Sequence, residues 1–155
     1  HSQITGPFSL INDGVYVWQF VLPFRSVVRN ITWELLTGVD GSLSSMGLYS
    51  ANRNRLLHTG AVGTAIADQG IQQTSITAVT LEPGVYFFAH TSTSLNVDAR
   101  AWNLAVGVWG PVMNSGSSRR IAIAANLSSG GVLPATLGNL TSQTNMNPPI
   151  CLFEP

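Results

Sequence analysis

Large apolar and polar side chains alternate with a period of two through most of this sequence. No stretch of twelve or more residues carries the clean apolar stripe of an amphipathic helix. The clearest example is residues 27–36, where the apolar set of Val27, Ile31, Trp33 and Leu35 is predicted to face a core. The opposite set of Val28, Asn30, Thr32 and Glu34 is predicted to face mostly solvent. Because neighbouring side chains of a strand point to opposite faces, the sequence predicts an all-β chain.

The alternating segments give eight or nine short strands, at spacings of about 8 to 15 residues, that are separated by turn-forming residues. This spacing favours a two-sheet antiparallel β-sandwich of jelly-roll type. With 155 residues the chain fits one domain, residues 1–155, in which residues 1–5 read as a linker or a cloning scar. Residues 133–155 are predicted to form an extended tail, packed on the sandwich and closed by one last strand at residues 150–153, in which Ile150, Leu152 and Phe153 are expected to be buried.

Two local signals fix parts of the strand order. Residues 51–54 contain Asn52 and Asn54, which tolerate turn conformations, so residues 45–50 and 55–59 are predicted to form a hairpin. In residues 74–81 the apolar phase slips between Ile76 and Val79, which predicts a β-bulge near Ala78.

Residues 14–23 are apolar on both faces of their predicted strand. Trp18 and its neighbours at even positions fill one face, whereas Val15, Val17 and Val21 lie on the other. A strand of an antiparallel sheet usually needs cover on one face only, so either a loop or another subunit must cover the second face. We expect Val15, Val17 and Val21 to lie in an interface between copies of the chain.

Charge is scarce in this chain. Charged residues make up 9% of the sequence, the seven basic residues are all Arg, and the net charge is zero. Nucleic-acid binding is excluded because no basic stripe is available to neutralise phosphates. Membrane insertion is excluded because no run approaches the roughly 18 apolar residues of a membrane span. A net charge near zero also favours contact between copies.

No pattern of reactive side chains points to an enzyme or to a cofactor. The three histidines lack metal-ligand spacing, and His90 is predicted to be a packed, hydrogen-bonded core residue. The carboxylates are scattered and lie mostly in turns, although acid and base partners can come from distant strands. The single cysteine, Cys151, reads as a small buried hydrophobic residue. We therefore predict no catalytic residue, no metal site and no cofactor.

Three residues are the candidates for ligand contact. Trp109 precedes a Gly-Pro pair at a predicted strand end, where an aromatic face can stack on a sugar ring. Arg119 and Arg120 border a loop rich in Ser and Gly and could bind an acidic partner or form an ion pair across a subunit boundary. The alternatives are that Trp109 packs under the neighbouring loop and that the two arginines are solvated surface charges.

Two passages have a distinctive pattern of turn and strand residues. The first is GLYSANRNRLLHTG at residues 47–60, and the second is TLEPGVYFFA at residues 80–89. Together they resemble the β-sandwich domains of phage tail fibres and tail tips, where such a hairpin precedes a strand entered through Pro-Gly-x-Tyr. The Pro-Gly-x-Tyr feature also occurs in other extracellular β-sandwiches, including carbohydrate-binding modules.

The resemblance implies a domain on the extracellular surface of a virion, which forms a homotrimer and contacts a host cell-surface glycan or receptor and other virion proteins. A capsid decoration or head-fibre protein is the alternative within the same class. A monomeric carbohydrate-binding module is the alternative from another class. A glycan hydrolase or esterase would need two carboxylates, or a Ser and a His, to meet in one cleft.

Overall fold

A computed structural model describes residues 11–101, 121–143 and 148–155. In this part the chain is built almost entirely of strands, with one short 3₁₀ helix at Ile66–Asp68. The eleven strands are β1 (Tyr16–Leu22), β2 (Ser26–Thr37), β3 (Leu43–Ser50), β4 (Arg55–His58), β5 (Val62–Gly63), β6 (Gly70–Leu81), β7 (Gly84–Ser92), β8 (Asp98–Ala99), β9 (Ile121–Ala124), β10 (Leu140–Ser142) and β11 (Cys151–Glu154).

The strands form two antiparallel sheets. The first sheet has the order β10-β9-β1-β7-β3-β4, and β5 pairs with β3. The second sheet has the order β11-β2-β6, and β8 pairs with β2. The predicted two-sheet antiparallel sandwich is therefore confirmed, whereas the jelly-roll connectivity remains a prediction.

The main core lies between the two sheets. The first sheet contributes Trp18 and Phe88, whose rings stack with centroids 5.5 Å apart, and the second sheet contributes Ile31 and Trp33. Phe153 of β11 crosses the interface and meets Phe88 edge-on, with the ring centroids 6.0 Å apart. Trp18 and Trp33 are both 2% exposed, which confirms that they are core residues. Aromatic burial of this size dominates the energetics of a small core.

A β-bulge between β2 and β6 changes which valine enters this core. The pairing register shifts between Val28 and Asn30, opposite Ile76 to Ala78, where the sequence predicted a bulge. The prediction that Val27 faces the core is wrong: Val28 is buried and Val27 is 38% exposed. The bulge shifts the alternation of buried and exposed side chains by one residue. Even-numbered Val28 is therefore buried before the bulge, whereas odd-numbered residues of β2 are buried after it.

A second apolar cluster lies on the outer face of the first sheet. We call residues 126–139 the covering segment, because its Leu133 and Leu137 pack over Val17 of β1 and over Val15, which precedes the strand. Backbone hydrogen bonds hold this segment in place: the Arg55 amide donates to the Ala135 carbonyl at 2.9 Å, and the Leu137 amide donates to the Arg53 carbonyl at 2.9 Å. The Tyr49 hydroxyl donates to the Pro134 carbonyl at 2.6 Å.

The covering segment overturns part of the interface prediction. Val15 is 0% exposed and Val17 is 1% exposed within a single protomer, so these two side chains are not available to a second copy. Sequence reasoning left a loop and a subunit as the two possible covers for this face, and the loop is correct. Val21 is half-buried and lies outside this second cluster. Its location in an interface between copies of the chain therefore stays a prediction.

One side chain of the C-terminal strand, that of Leu152, points to the opposite face from the one expected. β11 pairs with β2 and packs Phe153 against the core. Leu152, which was expected to be buried, is 53% exposed on the outer face of the second sheet. Leu152 lies opposite Thr32, which also points away from the core, so the register decides its exposure.

Candidate functional site

The outer face of the second sheet carries a compact set of polar side chains. Three strands contribute to it, and directly paired residues share a face. Asn30 lies between Ser75 and Glu154, Thr32 lies between Gln73 and Leu152, and Glu34 lies opposite Ile71. We call this surface the polar face; its members are Asn30, Thr32, Glu34, Ile71, Gln73, Ser75, Arg100, Leu152 and Glu154.

Hydrogen bonds between distant parts of the chain fix the polar side chains of this face. Thr32 Oγ1 donates to Glu154 Oε2, and Gln73 Nε2 donates to the same carboxylate oxygen at 3.1 Å. Ser75 Oγ donates to Asn30 Oδ1 at 2.9 Å. Because each side chain is held by a neighbour on another strand, little conformational freedom remains to be lost when a ligand binds.

An ion pair closes one end of the polar face. Both guanidinium nitrogens Nε and Nη2 of Arg100 donate to the Glu34 carboxylate, the second at 2.8 Å. The hydrogen bonds from Arg100 lower the pKa of Glu34 below its usual range. The pair is partly exposed, with 37% of the Arg100 side chain and 29% of the Glu34 side chain accessible. It therefore adds little to the stability of the fold, and its main effect is to fix the orientation of the two side chains.

The face also offers hydrogen-bonding atoms that have no partner in the part of the chain that the structure describes. Among the described residues, no hydrogen bond uses Nδ2 of Asn30, Oε1 of Gln73 or Oε1 of Glu154. These atoms supply two donor hydrogens and two acceptors on one side of the sheet. Ile71 and Leu152, 69% and 53% exposed, add aliphatic surface beside them. With strands about 4.8 Å apart and a rise of about 3.4 Å per residue, the face measures roughly 10 by 13 Å.

A groove of about 410 Å³ runs between β4 of the first sheet and β6 of the second. Leu57, Ile76 and Val79 give it apolar walls, and His58 adds one titratable group. His58 Nδ1 accepts a hydrogen bond from the Gly60 amide at 3.1 Å, so the ring proton sits on Nε2 when the ring is neutral. Burial, and then the charge of Arg55, lower the pKa of His58.

The groove is lined by one histidine, His58, and one serine, Ser75, but by no carboxylate and no cysteine of the described residues. The Ser75 hydroxyl donates its hydrogen bond to Asn30 Oδ1, not to His58, so no activated Ser-His pair is formed. In the described ranges no three metal-binding side chains form a cluster. Cys151 packs at the margin of the main core, and burial, with a smaller contribution from Glu154, raises the pKa of its thiol. The predictions of no catalytic residue, no metal and no cofactor stay predictions.

Three of the predicted site residues cannot be placed. Trp109, Arg119 and Arg120 lie outside the described residues. Sequence reasoning missed the polar face, because its members come from residues 30–34, 71–75, 100 and 152–154 and meet only through strand pairing. The signal that could have found it is the run of polar residues on the outer side of two adjacent strands.

Comparison with known proteins adds no family to this geometry. No family model, no curated protein and no solved structure matches the chain. Within the described part, no helix is long and apolar enough to cross a membrane.

Proposed function

We propose that this chain is a non-enzymatic surface domain of a bacteriophage virion, of tail-fibre or tail-tip type, and that its polar face binds a glycan receptor on the host cell. The polar face is the observation that supports a binding role. Its side chains are held by hydrogen bonds to one another and still present donors and acceptors to solvent. The virion assignment is supported by the resemblance of residues 47–60 and 80–89 to tail proteins.

The chemistry of the polar face suits a sugar ring. Each sugar hydroxyl donates and accepts, so adjacent hydroxyls need acceptors such as Glu154 Oε1 and Gln73 Oε1 and a donor such as Asn30 Nδ2. A charged acceptor gives the stronger hydrogen bonds, which assigns Glu154 the main anchoring role. The C–H groups of the ring would contact the aliphatic side chains of Ile71 and Leu152, both largely exposed.

Binding of the fluorescently labelled domain to host cells, followed by glycan-array screening, tests this proposal. The double variant Gln73→Ala, Glu154→Gln removes one acceptor and the anchoring charge, and we expect it to bind at least tenfold more weakly. Thr80→Ala is the matched control, because Thr80 is exposed on the same strand outside the polar face. Unchanged binding of the double variant would remove the polar face from the proposal.

A monomeric carbohydrate-binding module is a second candidate, and one observation favours it. The covering segment seals Val15 and Val17 inside one protomer, which removes an apolar face that had favoured assembly. Such a module would bind a soluble glycan as a monomer and would be absent from purified virions. Detection of the chain in virions by mass spectrometry decides between the two candidates.

Two further expectations from the sequence remain predictions. The homotrimer now depends on the resemblance, on the low charge and on Val21, and light scattering measures it directly. The capsid decoration or head-fibre alternative differs from a tail adhesin in its partner. Pull-down with empty capsids and with host cells separates these two roles.

A further inference from the structure

β6 is the longest open strand edge in the described part of the chain. It spans twelve residues, Gly70–Leu81, and among the described strands only β2 pairs with it. An open edge presents a row of unpaired backbone N–H and C=O groups, which is a template for another strand. Natural proteins usually protect such edges with charged residues, proline, bulges or a covering loop.

Within residues 11–101, 121–143 and 148–155, the first half of β6 lacks these protections. β6 contains no charged residue and no proline. Its bulge lies at Ile76 to Ala78, so residues 70–75 form an uninterrupted pairing edge. Ile71, at 69%, is the most exposed large apolar side chain of the described residues, and Ile66 nearby is 59% exposed. An uncharged edge with exposed aliphatic residues favours an uncharged partner strand.

We infer that this edge pairs with the same edge of a second copy, antiparallel and centred on Gln73. In this register Ile71 lies opposite Ser75 of the other copy, and Gln72 lies opposite its Thr74. Asp68, the nearest acidic residue of the chain, lies opposite Ala78, so no like charges meet. The identical, neutral sequence on both sides is what makes this strand its own fitting partner.

The pairing has a geometric consequence for the polar face. A two-fold axis perpendicular to the sheet joins the two second sheets into one continuous sheet, with both polar faces on the same side. Two receptor sites on one surface would increase avidity for a host that displays many copies of a glycan. Only this gain in avidity rests on the proposed function, and the strand pairing is tested independently of it.

Sedimentation velocity over a range of protein concentrations, for the wild type and two charge variants, tests the pairing. The variant Ile71→Lys, Ser75→Lys places two like-charge pairs across the proposed contact, and we expect roughly tenfold weaker dimerisation. The variant Ile71→Lys, Ser75→Glu places opposite charges there and should dimerise at least as well as the wild type. Leu127→Lys is the matched control, since Leu127 is 54% exposed on the covering segment. Circular dichroism confirms that each variant is folded.

Four outcomes overturn the inference. The first is a wild type that stays monomeric up to about 1 mM, where a contact of about 4 kcal/mol would be half-formed. The second is a wild type that forms a trimer without a dimer, because a two-fold contact closes at two copies. The third is equal dimerisation of the Lys/Lys variant and the wild type. The fourth is a Lys/Glu variant as weak as the Lys/Lys variant. Restored dimerisation in the charge-paired variant supports both the edge and its register.

Discussion

We expect the free energy of unfolding to decrease at acidic pH, because the ring of His90 is buried. This residue lies on β7, opposite Tyr16 of β1 and Met46 of β3, on the face directed towards the core. Its Nε2 atom is inaccessible to solvent and has no hydrogen-bond partner in the described part of the chain. The sequence-based prediction of a packed histidine is confirmed, whereas a hydrogen bond to its Nε2 is not observed.

Burial lowers the pKa of His90 from 6.5 to about 4. An unfolded chain has an ordinary histidine pKa near 6.5, so between pH 6.5 and 4 the unfolded state binds a proton that the folded state does not. The free energy of unfolding is therefore greatest above pH 6.5 and decreases as the pH falls towards 4. A difference of about 2.5 pKa units at about 1.36 kcal/mol each gives a loss of about 3 kcal/mol.

This loss is large against the 5 to 15 kcal/mol typical of a domain. Urea unfolding, followed by tryptophan fluorescence between about pH 7 and 4.5, measures it as a decrease in the transition midpoint. The variant His90→Gln removes the titrating group and should flatten most of this pH dependence, even if it is less stable at every pH. His58→Gln is the control, because burial lowers the pKa of His58 too, but its ring lines the open groove, whereas Nε2 of His90 is inaccessible to solvent.

His90 is not the acid-sensitive group if His90→Gln keeps the wild-type pH dependence. The same holds if nuclear magnetic resonance gives the His90 ring an ordinary pKa, because its burial would then be transient. Glu34 contributes in the same direction at lower pH, since Arg100 holds its pKa below the usual range. The His90 effect is therefore read above about pH 4.5, where ordinary carboxylates are still mostly ionised.

Two further predictions concern the covering segment. Leu133→Ala should destabilise the fold by about 2 to 5 kcal/mol, because Leu133 is 1% exposed and its truncation leaves a cavity over β1; urea denaturation measures the change, and a cost under about 1 kcal/mol would contradict this packing. Gly131→Ala should destabilise more than Gly130→Ala. Both glycines have positive φ, but only at Gly131 would a Cβ meet the Leu43 side chain, at 2.5 Å.

Several features of the fold were readable from the sequence because they depend on local chemistry. The hairpin of β3 and β4 follows from the Asn-rich turn, although Arg53, rather than an Asn, takes the positive φ of 68°. The bulge in β6 follows from a slip in apolar phase that any pairing would have to accommodate. The burial of Trp18 and Trp33 follows from the free energy of removing a large ring from water.

The polar face was not readable in the same way. Asn30, Ser75 and Glu154 are separated by 45 or more positions in the chain, and they share a row only because β2 pairs with both β6 and β11. The bulge at Val28 and Asn30 sets this register, and a register shifted by one residue would move every side chain to the other face. A period-two pattern defines two faces of each strand but not the neighbours of those faces.

The sequence alone determined that this chain forms strands, where its turns lie and that β1 is apolar on both sides. What covers the second side becomes clear from the folded chain: the covering segment packs Leu133 and Leu137 on Val15 and Val17, and no other copy is needed there. The physical reason is that burial of apolar surface is non-directional, so any apolar partner removes it from water. A strand pattern records that cover is needed, and the path of the whole chain determines which residues supply it.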